Sequence, residues 1–505
     1  MSTMLWVVVA AVLLFVLPVV RVPMLDLTRR NIIRWQRGGI QKYTTRYYGF
    51  FHPYCNAGGG GEKVLWKAVQ ETLLYDPNCS IVIYTGDVDS SPKEIIAIVI
   101  KRFDYEMDFN RVQFVFLKYR KWVDGSTWKH LTLVGQAMGS MLLTIEALLR
   151  FVPDIWLDTM GYPFGYPVVR WLAGLPVMTY THYPVISSDM IHKIEIENQK
   201  QPSKKGTLKL IYWKLFMKWY QYVGKFVDVA ITNSTWTGNH IRSIWKRVKI
   251  KVMYPPCSTE KLVKNSSPTA YETRQNQAVL IAQFRPEKRH KLVIQAYSDF
   301  ISRTASKDHF KLVLIGSTRS EEDRAYVETL KSWAFDTLKI PKESLTFKTD
   351  CSYDDIKKFL AESTFGINAM WNEHFGIAVV EYAAAGLISL VHASAGPLLD
   401  IIVPWDSAKK QQLPYSDSTK DTRTGLFFKD KSDPDYKPTD AQFNNYGSLA
   451  DIFEEANSLS IAERKQISER AKECASNKFS DNTFNHAWDH ALDELEHKTS
   501  RLGSN

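Results

Sequence analysis

The 505-residue sequence predicts an α/β protein in which two parallel-sheet domains follow an N-terminal membrane helix. Three observations lead there. An uncharged apolar run opens the chain, short β-branched runs alternate with helical patterns over most of the remainder, and the double proline Pro255-Pro256 divides that alternation in two. The length agrees, since roughly 150 residues per domain suggests two or three domains. Hydrophobic residues at 45% and charged residues at 23% exclude wholesale disorder, collagen-like repeats and a multi-span membrane protein.

Taken in order, Met4–Val20 is 17 residues without a charge, close to the minimum for crossing a hydrocarbon layer about 30 Å thick. No basic segment precedes it and no small-x-small cleavage site follows, so residues 1–21 read as an anchor rather than a cleaved signal. Seven cations (Arg21, Arg29, Arg30, Arg34, Arg37, Lys42, Arg46) then stand against Asp26 alone. Residues 22–46 thus form a basic juxtamembrane segment, which places the body in the cytosol. The net charge of +10 favours anionic partners, and behind an apolar segment a membrane surface is a simpler partner than nucleic acid. The five cysteines form no C-x-x-C pair, which suits a reducing compartment and suggests neither a disulfide framework nor a structural zinc site.

Residues 47–255 carry strand patterns at Ser80–Thr85, Val112–Leu117, Asp154–Asp158, Pro176–Thr181 and Val227–Thr232. Leu131–Phe151 reads as a helix lying against a membrane or buried in a domain, and Lys204–Phe226 as an interfacial helix or a solvated helix whose aromatics pack inward. Residues 256–478 resume the alternation with Ala278–Phe284, Lys311–Gly316, Thr364–Asn368 and Leu387–His392, while Val403–Gly425 is polar and irregular. Residues 479–505 form a helix with Phe479, Phe484, Trp488 and Leu492 on its packing side, expected to return to the first domain.

The chemistry concentrates after two strands of the second domain. Asn372-Glu373-His374-Phe375-Gly376-Ile377 leads from the strand ending at Asn368 into a helix that Gly386 terminates. Amides near Phe375, Gly376 and Ile377 suit a phosphate, whereas Glu373 and Glu381 would repel one and suit sugar hydroxyls. The spacing alone favours an ordinary strand–loop–helix with two solvent-facing glutamates. Gln283-Phe284-Arg285-Pro286-Glu287-Lys288 offers the cations Arg285 and Lys288 to a departing diphosphate; a solvated basic helix start is the alternative.

In the first domain, Gly58-Gly59-Gly60-Gly61-Glu62 opens a helix over Lys63–Tyr75 and lets a ligand approach the backbone; it is neither a P-loop nor a dinucleotide fingerprint. His182, in Tyr180-Thr181-His182-Tyr183-Pro184, reads as a sugar or acceptor contact or, equally, as a structural histidine. Asp87-Val88-Asp89 could hold a metal, but it reads as a surface loop.

The E-x7-E spacing of Glu373 and Glu381, with His374-Phe375-Gly376 inside it and Glu381-Tyr382-Ala383-Ala384-Ala385-Gly386 closing it, resembles the nucleotide-sugar motif of retaining glycosyltransferases of the GT-B fold, the glycogen-synthase-like group. The resemblance implies two Rossmann-like domains facing across a cleft. It also implies a donor site of Arg285, Lys288, Gly316, Glu373, His374, Phe375, Gly376, Ile377 and Glu381, catalytic roles for Glu373, Lys288 and His182, and a phosphate or acceptor loop at residues 58–62. Thr424-Gly425-Leu426 resembles a nucleotide-side loop. The family usually has arginine where Gln283 stands, so Arg285, two residues on, departs from its pattern.

The anchor, the glycine loop, THYP, AQFRPEKRHK and NEHFGIAVVEYAAAG together are similar to the eukaryotic family of GDP-mannose:dolichol-pyrophosphate-oligosaccharide alpha-1,2-mannosyltransferases. That similarity implies GDP-mannose as donor and a lipid-linked oligosaccharide at the cytosolic face of the endoplasmic reticulum as acceptor. Two sequential additions with retention, no cofactor, no metal and no nucleic acid follow from it, and a complex with other mannosyltransferases of the pathway is compatible with it. Another lipid-directed mannosyl- or N-acetylglucosaminyltransferase of this fold is the alternative, followed by an inactive membrane-bound scaffold.

Overall fold

The computed structural model describes residues 46–503, apart from 201, 247, 265–272, 305–308, 319, 438 and 440–444. The expected anchor and nearly all of the basic segment lie outside the described residues. The chain forms two units: one runs to Asn233 and includes Thr237–Met253 and Asn485–Asn505, and the other holds Ser234–Trp236 and Tyr254–Phe484.

The first unit is built on seven parallel strands, β1 (Arg46–Phe51), β2 (Cys79–Thr85), β3 (Val112–Phe116), β4 (Ile155–Asp158), β5 (Val177–Thr181), β6 (Val229–Thr232) and β7 (Ile250–Val252), in the order β3-β2-β1-β4-β5-β6-β7. Helices cover both faces of such a sheet, which is why a strand like β2 is apolar nearly throughout and buried at every position. The strand order reverses between β1 and β4, where Phe51 pairs with Asp158. A crevice opens at the carboxyl edge of such a reversal.

The glycine-loop helix begins at Gly60, three residues before the expected Lys63, because the Glu62 carboxylate accepts the Gly59 N–H at 2.5 Å and closes a capping box. In the C-terminal helix (Asp481–Gly503), Trp488 is fully buried; it donates to Thr72 Oγ1 at 3.0 Å and stacks on Phe50. The helix Thr132–Arg150 is half buried, and its Glu146 accepts the Lys118 and Tyr119 amides at 2.9 and 3.2 Å. That charge caps a neighbouring turn of the same unit.

The second unit repeats the plan with β8 (Gln275–Ile281), β9 (Lys311–Gly316), β10 (Leu345–Thr349), β11 (Ser363–Asn368) and β12 (Ile388–His392). A two-residue ribbon, β13 (Trp405–Asp406) with β14 (Gln411–Gln412), interrupts the irregular segment before β15 (Gly425–Phe428). The parallel order is β10-β9-β8-β11-β12-β15, with its reversal between β8 and β11. Thr424-Gly425-Leu426 is therefore not a nucleotide-side loop. Gly425 pairs with Ser389 near the start of β12, so it lies at the amino edge of the sheet, opposite the edge where the β8 and β11 loops emerge. A Cβ there would sit 2.7 Å from the Ser389 carbonyl oxygen, so close strand packing accounts for this glycine.

Candidate active site

The loops that leave β8 and β11 meet at the strand-order reversal. Lys288 follows β8 on a short 3-10 turn (Pro286–Lys288), and Glu373 follows β11. Lys288 Nζ lies 2.6 Å from Glu373 Oε2, with the side chains 25% and 15% exposed. Asn368 Nδ2 donates to the same carboxylate oxygen at 3.4 Å, so Glu373 is held by a cation from one loop and an amide from the end of its own strand.

Three residues later Gly376 adopts φ +105° and caps the helix Ile377–Ala385, which ends on Gly386 at φ 85°. Val379 and Val380 donate to the Gly376 carbonyl at 2.9 and 3.3 Å, so the Ile377 and Ala378 amides are the ones that the helix itself does not use. Tyr382 locks the helix to both strands: its hydroxyl accepts the Ile281 N–H at 2.8 Å and donates to the Ile367 carbonyl at 3.3 Å. Gly366 leaves the space for that ring, since a Cβ there would stand 2.3 Å from Tyr382 Cγ. Burial raises the Tyr382 phenol above its ordinary pKa, and the nearby charges of Glu381 and Glu373 add to the rise.

The remaining donor-side positions divide. The His374 ring stacks on Trp236 at 5.1 Å between centroids, whereas Phe375 is buried against Tyr254 and Phe479 and leaves only its backbone for a ligand. Arg285 points toward Asp323, 3.9 Å away, while Lys288 turns to Glu373. Gly316 lets the β9 and β8 loops touch, because a Cβ there would fall 2.0 Å from the Ala282 carbonyl oxygen. Beneath them, burial, helped by the Lys288 charge, brings the His290 imidazole down to about 4. Its ring stacks on Phe284 and stays uncharged at neutral pH.

In the first unit the glycine loop, His182 and a residue the sequence did not single out come together. His52, buried at the end of β1, contacts Thr159 Oγ1 through Nδ1 at 2.8 Å and sets Nε2 3.7 Å from Glu62. His182 Nε2 donates to the Thr159 carbonyl at 3.0 Å, and the backbone of Gly61 runs beside its ring. Burial would raise the Glu62 carboxyl, but His52 and the Gly59 amide hold it below the usual range. Glu62 is thereby a positioning group for the loop. Gly58 has φ +70°, with Arg102 Nη1 donating to its carbonyl at 3.3 Å. Asp87 pairs with Arg120 and accepts the Asn56 amide at 3.0 Å, which ties three loops together.

Residues 45–245 match the family described as ALG11 mannosyltransferase N-terminus, and residues 264–433 match Glycosyl transferases group 1. A curated relative from Eremothecium gossypii, GDP-Man:Man(3)GlcNAc(2)-PP-Dol alpha-1,2-mannosyltransferase, is 54% identical over 88% of this chain and 75% of its own. The chain belongs to this mannosyltransferase family. Members of the same name from Kluyveromyces lactis and Mus musculus are 53% and 41% identical, covering 90% and 70% of this chain and 79% and 74% of theirs. Among solved structures, an alpha,alpha-trehalose 6-phosphate synthase from Burkholderia multivorans superposes with a TM-score of 0.59 at 12% identity, over 91% of this chain and all of that one. Anabaena HepE does so at 0.54 and 12%, over 89% and 99%. The fold is GT-B.

For a member of this family the sequence had already pointed to Lys288 and Glu373, but not to His52. Its only sequence signal was a polar residue closing an apolar strand, directly before the glycine loop.

Proposed function

We propose that this protein transfers mannose from GDP-mannose to a dolichol-pyrophosphate-linked oligosaccharide, forming alpha-1,2 links in two successive additions with retention of configuration. Membership of the family supports the reaction. The observation that carries its assignment to residues is the Lys288–Glu373 pair at the β8–β11 reversal, beside the N-terminus of the helix Ile377–Ala385. There the diphosphate would lie against the first-turn amides and Lys288, with Arg285 adding charge at the rim, while Glu373 and Glu381 accept hydroxyls of the donor.

As the bond between mannose C1 and the phosphate oxygen breaks, Lys288 and the amides stabilise the charge growing on GDP. The acceptor hydroxyl oxygen bonds to C1, and its proton passes to the departing phosphate. In this reading no metal takes part. His182, held by the Thr159 carbonyl, contacts the sugar or the acceptor.

The same reading places the protein on the cytosolic face of the endoplasmic reticulum, anchored through Met4–Val20. One more feature supports a membrane-held substrate. On the helix Lys204–Val223, Leu208, Ile211, Leu215 and Tyr222 are exposed and spaced by three, four and seven residues, which keeps them on one face. Lys204, Lys205, Lys209 and Lys218 accompany them, the composition of a surface meeting anionic lipid. Leu131, Leu142 and Leu149 are likewise exposed along the Thr132–Arg150 helix, whose Val134 amide donates to Tyr212 at 3.2 Å.

Full-length protein in lipid vesicles, given GDP-mannose or UDP-sugars with defined dolichol-linked acceptors, tests the proposal. Two mannose units removable by an alpha-1,2-mannosidase, formed equally with and without a chelator, are expected. Transfer from a UDP-sugar instead, or a requirement for added metal, would refute it.

A further inference from the structure

The two loops that carry Lys288 and Glu373 are joined, behind the site, by a single buried carboxylate. Arg289, next to Lys288, has φ 57° and directs Nη1 to Asp433 Oδ1 at 2.6 Å and Nη2 to Ser432 Oγ at 2.5 Å. The other oxygen, Oδ2, accepts from His392 Nε2 at 2.8 Å and from the Asp430 N–H at 2.9 Å. Asp433, when ionised, can only accept, so Nε2 carries the hydrogen of that bond. The ring's Nδ1 lies 2.8 Å from Ser394 Oγ, and the same Oγ accepts the Asn372 N–H at 2.8 Å. Asn372 immediately precedes Glu373 and has φ 53°. Two residues beyond Ser394, the Gly396 N–H donates to the Glu373 carbonyl at 3.0 Å.

We infer that Asp433, through Arg289 on one side and His392 and Ser394 on the other, is a positioning residue that fixes the distance between Lys288 and Glu373. This inference rests on the proposed roles of those two residues. The wiring suits that role. Arg289, just after Lys288, and Asn372, just before Glu373, both have positive φ, a conformation costly for arginine and held here by its bonds to Asp433 and Ser432. The Asp433 and His392 side chains are at most 1% exposed, so the bond between them is shielded from competing water. Burial would raise the Asp433 carboxyl, but His392, the Asp430 amide and Arg289 pull it below the ordinary range. It stays charged and keeps all of its bonds. None of these side chains needs to touch the donor, so their effect would pass through the spacing of the two that do. A misplacement of about 1 Å in such a pair can cost on the order of 100-fold in rate.

The test uses full-length protein in vesicles and compares Arg289→Lys, Ser394→Ala, the double variant and Asp433→Asn, measuring kcat, KM for GDP-mannose and the thermal midpoint. Each single variant should lower kcat about tenfold and leave KM within about twofold. The two ends act through one carboxylate, so the double variant should be no slower than the slower single variant. Asp433→Asn keeps the volume and should match that rate with the fold intact. Unchanged kcat in all variants, losses that multiply in the double variant, or losses that only follow a fallen thermal midpoint would overturn the inference. Lys288→Ala and Glu373→Ala serve as the separate check: if they transfer mannose normally, the site reading fails and not the linkage alone.

Discussion

Lys288 Nζ stands 2.6 Å from Glu373 Oε2 although 85 residues separate them, and Asn368 shares the same oxygen. A carboxylate so placed balances the lysine charge and fixes its direction. Glu373→Gln keeps the shape and removes the charge. We expect kcat for mannosyl transfer to fall about 100-fold while KM for GDP-mannose stays level or drops, since Lys288 gains freedom toward phosphate. Steady-state kinetics on the full-length protein checks this.

Gly376 at φ +105° is the turn that aims the helix Ile377–Ala385, and an added Cβ would lie 3.4 Å from both Glu373 Cγ and Val379 Cγ2. Gly376→Ala should cost about 1–2 kcal/mol and raise KM for GDP-mannose, because the strained residue sits at the first-turn amides. Chemical unfolding together with donor titration measures both effects.

His290 supplies a pH signature. Its folded value, about 4, lies below the ordinary histidine value of about 6.5, so the unfolded ring takes up a proton first as the solution is acidified. The stability it contributes is complete above about pH 6.5 and is lost as pH falls toward 4, by about 2–3 kcal/mol. In His290→Leu that part of the acid limb should disappear, which unfolding curves at neutral and mildly acidic pH would reveal as a smaller difference than in the parent.

Leu208 and Leu215 are 67% and 61% exposed on a lysine-bordered face. Replacing both by aspartate should leave the thermal midpoint unchanged. KM for a dolichol-linked acceptor in anionic vesicles should rise on the order of tenfold, with little change for a detergent-soluble short-chain acceptor. Vesicle assays with the two acceptors distinguish a membrane contact from a folding contact.

What the sequence could reveal divides by range. The loops after β8 and β11 were readable because strand, loop and helix start lie within about a dozen residues, so local pattern determines which groups reach the carboxyl edge. The edge strands β7 (Ile250–Val252) and β10 (Leu345–Thr349) were not, since Lys251 and Lys348 interrupt the apolar runs that mark the buried strands. Gly425 was misplaced because a glycine beside turn-forming residues looks like a loop, whereas its reason is close packing against Ser389. His52 with Glu62, and Asp433 with Arg289 and His392, depend on which strands become neighbours. No local spacing records a partner 144 residues away. The half-buried Thr132–Arg150 helix shows the same limit: composition signals an apolar helix, but only the fold determines that Leu143 turns inward and Leu142 outward.

The rate of mannosyl transfer by full-length Lys288→Ala, at saturating acceptor and GDP-mannose, tests the donor-site assignment most directly. If Lys288 quenches the charge on the departing nucleotide, the variant should be slower by about 1,000-fold with an unaltered thermal midpoint. Turnover within a few-fold of the parent would contradict the assignment.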